Sequence, residues 1–111
     1  MPSCPVTFDF ASAELAAAEC RRHAGYLASL REARARARTT AVEDWSGRFR
    51  DDFDRDFTTS QQALQDEVER LRTLAGAIDD AAAEARVLKT TCERDHDHSA
   101  PPGGPDRNGP R

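Results

Sequence analysis

Between Phe49 and Leu88 the apolar residues recur every three or four positions: Phe49, Phe53, Phe57, Leu64, Val68, Leu71, Leu74, Ile78, Ala82, Ala85 and Leu88. On a helical wheel nearly all of them fall within an arc of roughly 120°, the signature of one amphipathic helix. This spacing predicts a helix over about 48–93, with Val87 pointing off the stripe. A weaker stripe precedes it, formed by Ala16, Cys20, His23, Leu27, Leu30, Ala37, Ala41 and Trp45 and interrupted by Arg34. Its alternation of three and four predicts a first helix over about 12–43. Ser12 is its expected N-cap, and Glu14 supplies negative charge near its start.

The strongest interruption is Glu43-Asp44-Trp45-Ser46-Gly47. Gly47 can take a positive φ at little cost, as a helix end or tight turn requires. Asp44 or Ser46 is placed to cap the following helix, and Asp51 and Asp52 favour its dipole. Gly25, Gly76 and the run Thr58-Thr59-Ser60 are soft points, the last a possible bend. Residues 1–10, with Pro2 and Pro5, read as irregular. Residues 95–111 are polar, then rich in Pro and Gly, and read as a disordered tail. The expected fold is therefore all-α: an antiparallel two-helix hairpin over 11–94.

Two rods of roughly 50 and 70 Å can bury only their facing stripes. A hairpin of this size has no closed core, and the Ala-rich first helix cannot cover Phe49, Phe53, Phe57, Leu64, Leu71 and Ile78 together. Packing against a second hairpin, giving a four-helix bundle, is the expected solution. The expected hairpin and dimer contacts are Leu27, Leu30, Phe49, Phe53, Phe57, Leu64, Val68, Leu71, Leu74 and Ile78. Ala37 and Ala41 are expected to let the helices approach near the turn. His23 and Arg34 are candidates for setting register or partner choice, the alternative being that they reach from the seam edge to water.

Composition narrows the function. The chain has 111 residues, a net charge of -4 and 32% charged residues. No basic surface of the kind that binds nucleic acid dominates. The run Arg31 to Arg38 alternates Arg with Ala and Glu and reads as a solvated face. No apolar run spans a bilayer, and Met1-Pro2-Ser3-Cys4-Pro5 lacks the pattern of a cleaved signal peptide. Cys4, Cys20 and Cys92 have neither metal-binding nor disulfide-framework spacing and read as free thiols, with a Cys20–Cys92 link the alternative.

Candidate chemistry is thin. His96-Asp97-His98 could offer metal ligands, but on a tail with no supporting shell. Asp51, Asp52, Asp54 and Asp56 point in several directions on a helix and are interleaved with Arg50 and Arg55. No nucleophile–base arrangement or phosphate-binding loop is present, so no enzyme activity, metal or cofactor is expected.

Trp45-Ser46-Gly47 between two amphipathic helices, with Phe49, Phe53 and Phe57 in step behind it, resembles the WXG (ESAT-like) family of small proteins tied to type VII (ESX) secretion in actinobacteria and related bacteria. The resemblance covers residues 10–93. It implies a helical hairpin, homo- or heterodimers forming four-helix bundles, and export of the folded dimer without a cleaved signal. It implies no catalysis and no cofactor. Trp45 and Gly47 carry the turn motif. Exported members often carry Tyr-x-x-x-Asp/Glu after the second helix; here the only tyrosine is Tyr26. The expectation is a cytoplasmic protein that either leaves with a signal-bearing partner or remains as a coiled-coil adaptor or chaperone-like subunit for a larger partner.

Overall fold

The computed structural model describes residues 6–99. Two helices account for nearly all of them: α1 over Phe10–Ala41 and α2 over Arg48–Ser99. They run antiparallel and form a rod 91 Å long and 16 by 15 Å across. No helix among the described residues is long and apolar enough to cross a membrane.

Helix α1 begins earlier than the stripe predicts. Asp9, not Ser12, is the N-cap: its carboxylate accepts from the Ser12 backbone N–H at 2.9 Å and from the Ser12 hydroxyl at 2.7 Å. Those bonds hold the Asp9 carboxyl below the usual range. With the start moved back to Phe10, no acid lies in the first turn; Glu14 instead reaches Arg86 across the hairpin at 3.8 Å. Helix α1 ends at Ala41, where the Val42 N–H bonds the Arg38 carbonyl at 3.0 Å.

Residues 42–47 link the helices. Gly47 has φ +74°, the one positive φ among the described residues. Neither Asp44 nor Ser46 caps α2; the Gly47 carbonyl accepts the Asp51 N–H at 3.1 Å and opens the helix. Arg50 closes the link from inside, donating to the carbonyls of Val42 and Trp45 at 3.1 and 3.2 Å. Helix α2 runs unbroken through Thr58-Thr59-Ser60, so no bend forms there, and through Gly76. It also continues past 93, so residues 95–99 are helical rather than disordered. The remainder of the predicted tail, and the stretch before Val6, lie outside the described residues.

The buried positions give the true seam. On α2 the inward positions are 50, 54, 57, 61, 64, 68, 71, 75, 78, 82 and 85, a strict alternation of four and three. On α1 they are 10, 13, 17, 20, 24, 27, 31, 34 and 38. The first-helix stripe expected from sequence is therefore rotated by about one position. Ala16, His23, Ala37 and Ala41 are exposed, whereas Ala17 and Ala24 are buried. The helices close near the link through Arg38 and Val42, not through Ala37 and Ala41. Ala24, Val68 and Leu71 form the core, with Cys20, Leu27 and Ala28 against it.

Val68 is 1% exposed and the largest fully buried side chain among the described residues. Val68→Ala should destabilise the hairpin by about 2 kcal/mol, by lost burial plus a residual void. Urea melts should show a lower midpoint with unchanged slope. A Cβ on Gly47 would meet no atom within 4 Å, so the cost of Gly47→Ala is the positive φ alone. The same melts should read it as a loss of about 1–2 kcal/mol.

Candidate protein-interaction surface

The periodicity of each helix sorts residues into two flanks beside the seam, and the contacts between helices identify which flanks meet. On one side, Arg21 pairs with Asp79 at 2.5 Å and Arg86 reaches Glu14. This flank of α2 continues as Thr58, Gln65 and Arg72, so it is polar along its length. The opposite flank carries Ala16, His23, Tyr26, Leu30, Ala33 and Ala37 from α1. From α2 it carries Phe49, Phe53, Leu74, Ala77, Ala81 and Leu88, with Ser60, Glu67 and Arg70 between Phe53 and Leu74. Two independent contacts place these sets together: His23 lies near enough to Glu67 to help lower its carboxyl, after the dominant Arg70 hydrogen bonds, and Ala37 shares a shallow recess with Phe53 and Phe57.

This second flank has no ion pair between the helices, and much of its apolar area faces outward. Phe49 is 87% exposed and Leu74 42%, with Leu88 also exposed. Phe53, Phe57, Leu30 and Ile78 are half-buried. The residues expected at the interface thus divide. Val68 and Leu71 are buried inside the hairpin, Leu27 and Leu64 are half-buried in its seam, and Phe49 and Leu74 lie outside it. Leu15 and Val87 are exposed and point away from both the seam and this flank; for Val87 this matches its position off the stripe.

The link end carries the aromatic residues. Trp45 meets Phe53 edge-on with ring centroids 5.3 Å apart, and Phe53 stacks on Phe57 at 5.9 Å. Asp44, Trp45, Ser46, Phe49, Asp52 and Phe53 line an open recess of about 660 Å³. Trp45 is only half covered, at 46% exposed.

Beside these rings the seam turns polar. The run Arg31 to Arg38 is not a solvated face. Arg31, Arg34 and Arg38 point inward and replace the apolar residues of a coiled coil. Arg31 Nε donates to the Gln61 carbonyl at 3.1 Å, and Gln61 Nε2 donates back to the Arg31 carbonyl at 2.8 Å. Gln61 is buried, and its Oε1 has no hydrogen-bond partner. Arg34 donates to the Ser60 hydroxyl at 2.8 Å. Arg34 and Arg38 lie over the Phe57 ring at 5.5 and 5.7 Å. His23, by contrast, is exposed and stacked near Tyr26.

Of the acidic cluster, Asp54 alone enters the seam, paired with Arg38 and with Arg50 at 3.1 Å. Asp52 pairs with Arg55 on the surface at 3.0 Å. The Arg38 hydrogen bond, seconded by Arg50, holds the Asp54 carboxyl below the usual range. No group of His, Cys, Asp or Glu among the described residues is arranged to hold a metal ion; the side chains of His96, Asp97 and His98 lie outside the described set. The reading of three free thiols needs correction. Cys92 is disulfide-bonded and Cys20 is a free thiol, so they are not joined to each other.

No family model, curated protein or solved structure matches the chain. What the fold itself defines is an antiparallel two-helix hairpin with interhelical ion pairs on one flank and the exposed Phe49, Leu74 and Leu88 on the other.

The charged Asp54 carboxylate contributes stability above about pH 4, because its pKa is lower folded than unfolded. That contribution is lost as pH falls through the folded value. Asp54→Asn should therefore lower the melting temperature at pH 7, and the gap to the parent chain should narrow as the pH falls below the ordinary carboxylate range. A gap that stays constant from pH 7 to pH 3 would show that the carboxylate charge is not what Arg38 and Arg50 require.

Proposed function

We propose that the chain is a WXG-like hairpin that works by packing its apolar flank against a second hairpin in a four-helix bundle, as a partner or exported component of type VII secretion. The carrying observation is the asymmetry of the two flanks. Salt bridges close one side of the hairpin, while Phe49, Leu74 and Leu88 remain uncovered on the other. Large apolar side chains left exposed along one side, here between polar residues such as Ser60 and Glu67, are the usual mark of a protein-binding surface. Trp45-Ser46-Gly47 in the link, with Gly47 at positive φ, supports the family assignment. The partner is either a second copy or another hairpin of the same kind.

The second reading is an adaptor that stays with a larger partner and carries no export signal of its own. It draws on one feature: no tyrosine follows Tyr26, so the C-terminal part of α2 has no Tyr-x-x-x-acid pattern. Co-purification from the native host, with cytosol and culture filtrate analysed separately, distinguishes the two. A hairpin partner with the chain in the filtrate supports secretion, and a large cytosolic complex with an empty filtrate supports the adaptor.

Light scattering should find a dimer at micromolar concentration, alone or with its hairpin partner. Leu74→Glu should weaken association more than tenfold, over 1.4 kcal/mol, by placing a charge in the buried flank. Leu15→Glu, on the outer surface, should leave association unchanged. A well-folded monomer, or equal effects of the two variants, would overturn the assignment of this flank.

A further inference from the structure

From Phe49 to Leu88 the positions on the apolar flank of α2 are spaced alternately by four and three. That spacing is mirror-symmetric about the point between residues 68 and 69. A second copy stacked antiparallel on this flank, related by a two-fold axis in the interface plane, lays α2 on α2 and sets each position against its mirror image. Phe49 then faces the second copy's Leu88, and Leu74 faces its Ala63. Glu67 and Arg70, already paired within each copy, meet their opposites across the axis. On α1 the same flank mirrors about Ala28, with the exposed Tyr26 facing the second copy's Leu30. Ala28 packs against the Val68–Leu71 cluster, so both helices place the axis at about the same level.

Other registers lose this match. Sliding one copy by seven residues keeps the spacing, but one direction sets Leu74 against Asp56 and carries Leu88 past the start of α2. The other direction sets Leu88 against Asp56 and Phe49 against Asp95.

Two unmatched charges point to the same register. Arg34 is half-buried, lies 5.5 Å from the Phe57 ring centroid and donates to the Ser60 hydroxyl, yet no carboxylate among the described residues pairs with it. Beside it a recess of about 270 Å³ opens between Arg34, Ala37, Arg38, Ala41, Phe53 and Phe57. Glu84 is exposed on the same flank and makes no hydrogen bond or ion pair with any described residue. Its mirror position is Phe53, in the wall of the recess and about one helical turn from Phe57. A guanidinium has five donors, so Arg34 keeps donors beyond the one bonded to Ser60.

We propose that the partner hairpin is a second copy of this chain, stacked antiparallel, whose Glu84 carboxylate enters the recess and pairs with Arg34 and Arg38. The two-fold axis makes this contact twice. The proposal rests on the reading of this flank as a dimer surface and names the partner and register that reading leaves open. A different hairpin without an acid at that level would leave Arg34 covered and unmatched, which disfavours it.

Sedimentation equilibrium of the purified full chain should find a dimer with no other protein present. Glu84→Arg changes an exposed side chain and should leave the helical fold intact. It should weaken self-association at least about tenfold, because both contacts become repulsive. Arg34→Glu should do the same. An equimolar mixture of the two variants should recover the parent's dimer, since each contact in the mixed pair again joins opposite charges. If Arg34→Glu does not fold, Arg34→Gln replaces it: Glu84→Gln should then weaken the parent more than it weakens the Arg34→Gln chain. A dimer indifferent to Glu84→Arg, or folded variants that stay apart when mixed, would overturn the register while Leu74→Glu still reads the flank. A chain that is monomeric alone and dimerises with a different hairpin would overturn the second copy and leave the flank reading standing. A dimer that Leu74→Glu does not weaken would overturn both.

Discussion

The hairpin depends on how little apolar bulk α1 brings to the seam. Ala17 and Ala24 are its fully buried side chains, and they let Val68 and Leu71 of α2 come close enough to seal the middle of the rod. Small residues give contact without much hydrophobic area, since stabilisation follows the area removed from water. Helix α2 carries far more apolar surface than this partner can cover. The excess is displaced largely to one flank, where Phe49, Leu74 and Leu88 stay exposed.

Toward the link the problem is solved differently. Arg31, Arg34 and Arg38 take inward positions where a coiled coil would place apolar residues. The guanidinium groups of Arg34 and Arg38 lie over Phe57, and those of Arg31, Arg34 and Arg38 reach Gln61, Ser60 and Asp54. Such contacts are geometrically specific but energetically modest, because the groups remain partly hydrated. They pin register: the Arg31 and Gln61 side chains each donate to the other residue's carbonyl, which is possible at one alignment of the helices. A slip along the rod would leave Asp54 and Gln61 facing the wrong partners, a cost added to that of the lost apolar contact.

The helical architecture, the link at Glu43–Gly47 and the apolar character of α2 were legible in the sequence because period and turn chemistry agree there. The first helix was harder. Alanine occurs on every side of α1, so His23 and Leu30 drew the expected stripe toward the outward flank, although Cys20 and Leu27 do lie in the seam. Buried Ala17 and Ala24 leave no comparable signal. The inward arginines were hidden by the same rule that usually works, that a charge-rich helical run faces water. The signal that could have found them is the opposing stretch: Ser60 and Gln61 interrupt the apolar heptads of α2 just where Arg31 and Arg34 interrupt those of α1. The Asp9 cap was masked by Ser12, an equally good cap by residue type, and phase alone could not choose between them.

The two flanks of the hairpin differ in what they leave uncovered. A helix pair closed on both sides by salt bridges would be complete in water. One closed on both sides by apolar residues would associate without preference. Here Arg21–Asp79 and Glu14–Arg86 occupy one side only, and the exposed Phe49, Leu74 and Leu88 lie on the other. Phe49, 87% exposed, sits where the apolar flank meets the link, and the open recess beside Trp45 lies at the same end. A partner helix laid along the flank would cover the leucines and could end in that recess, burying the aromatic cluster that α1 is too short and too slender to cover.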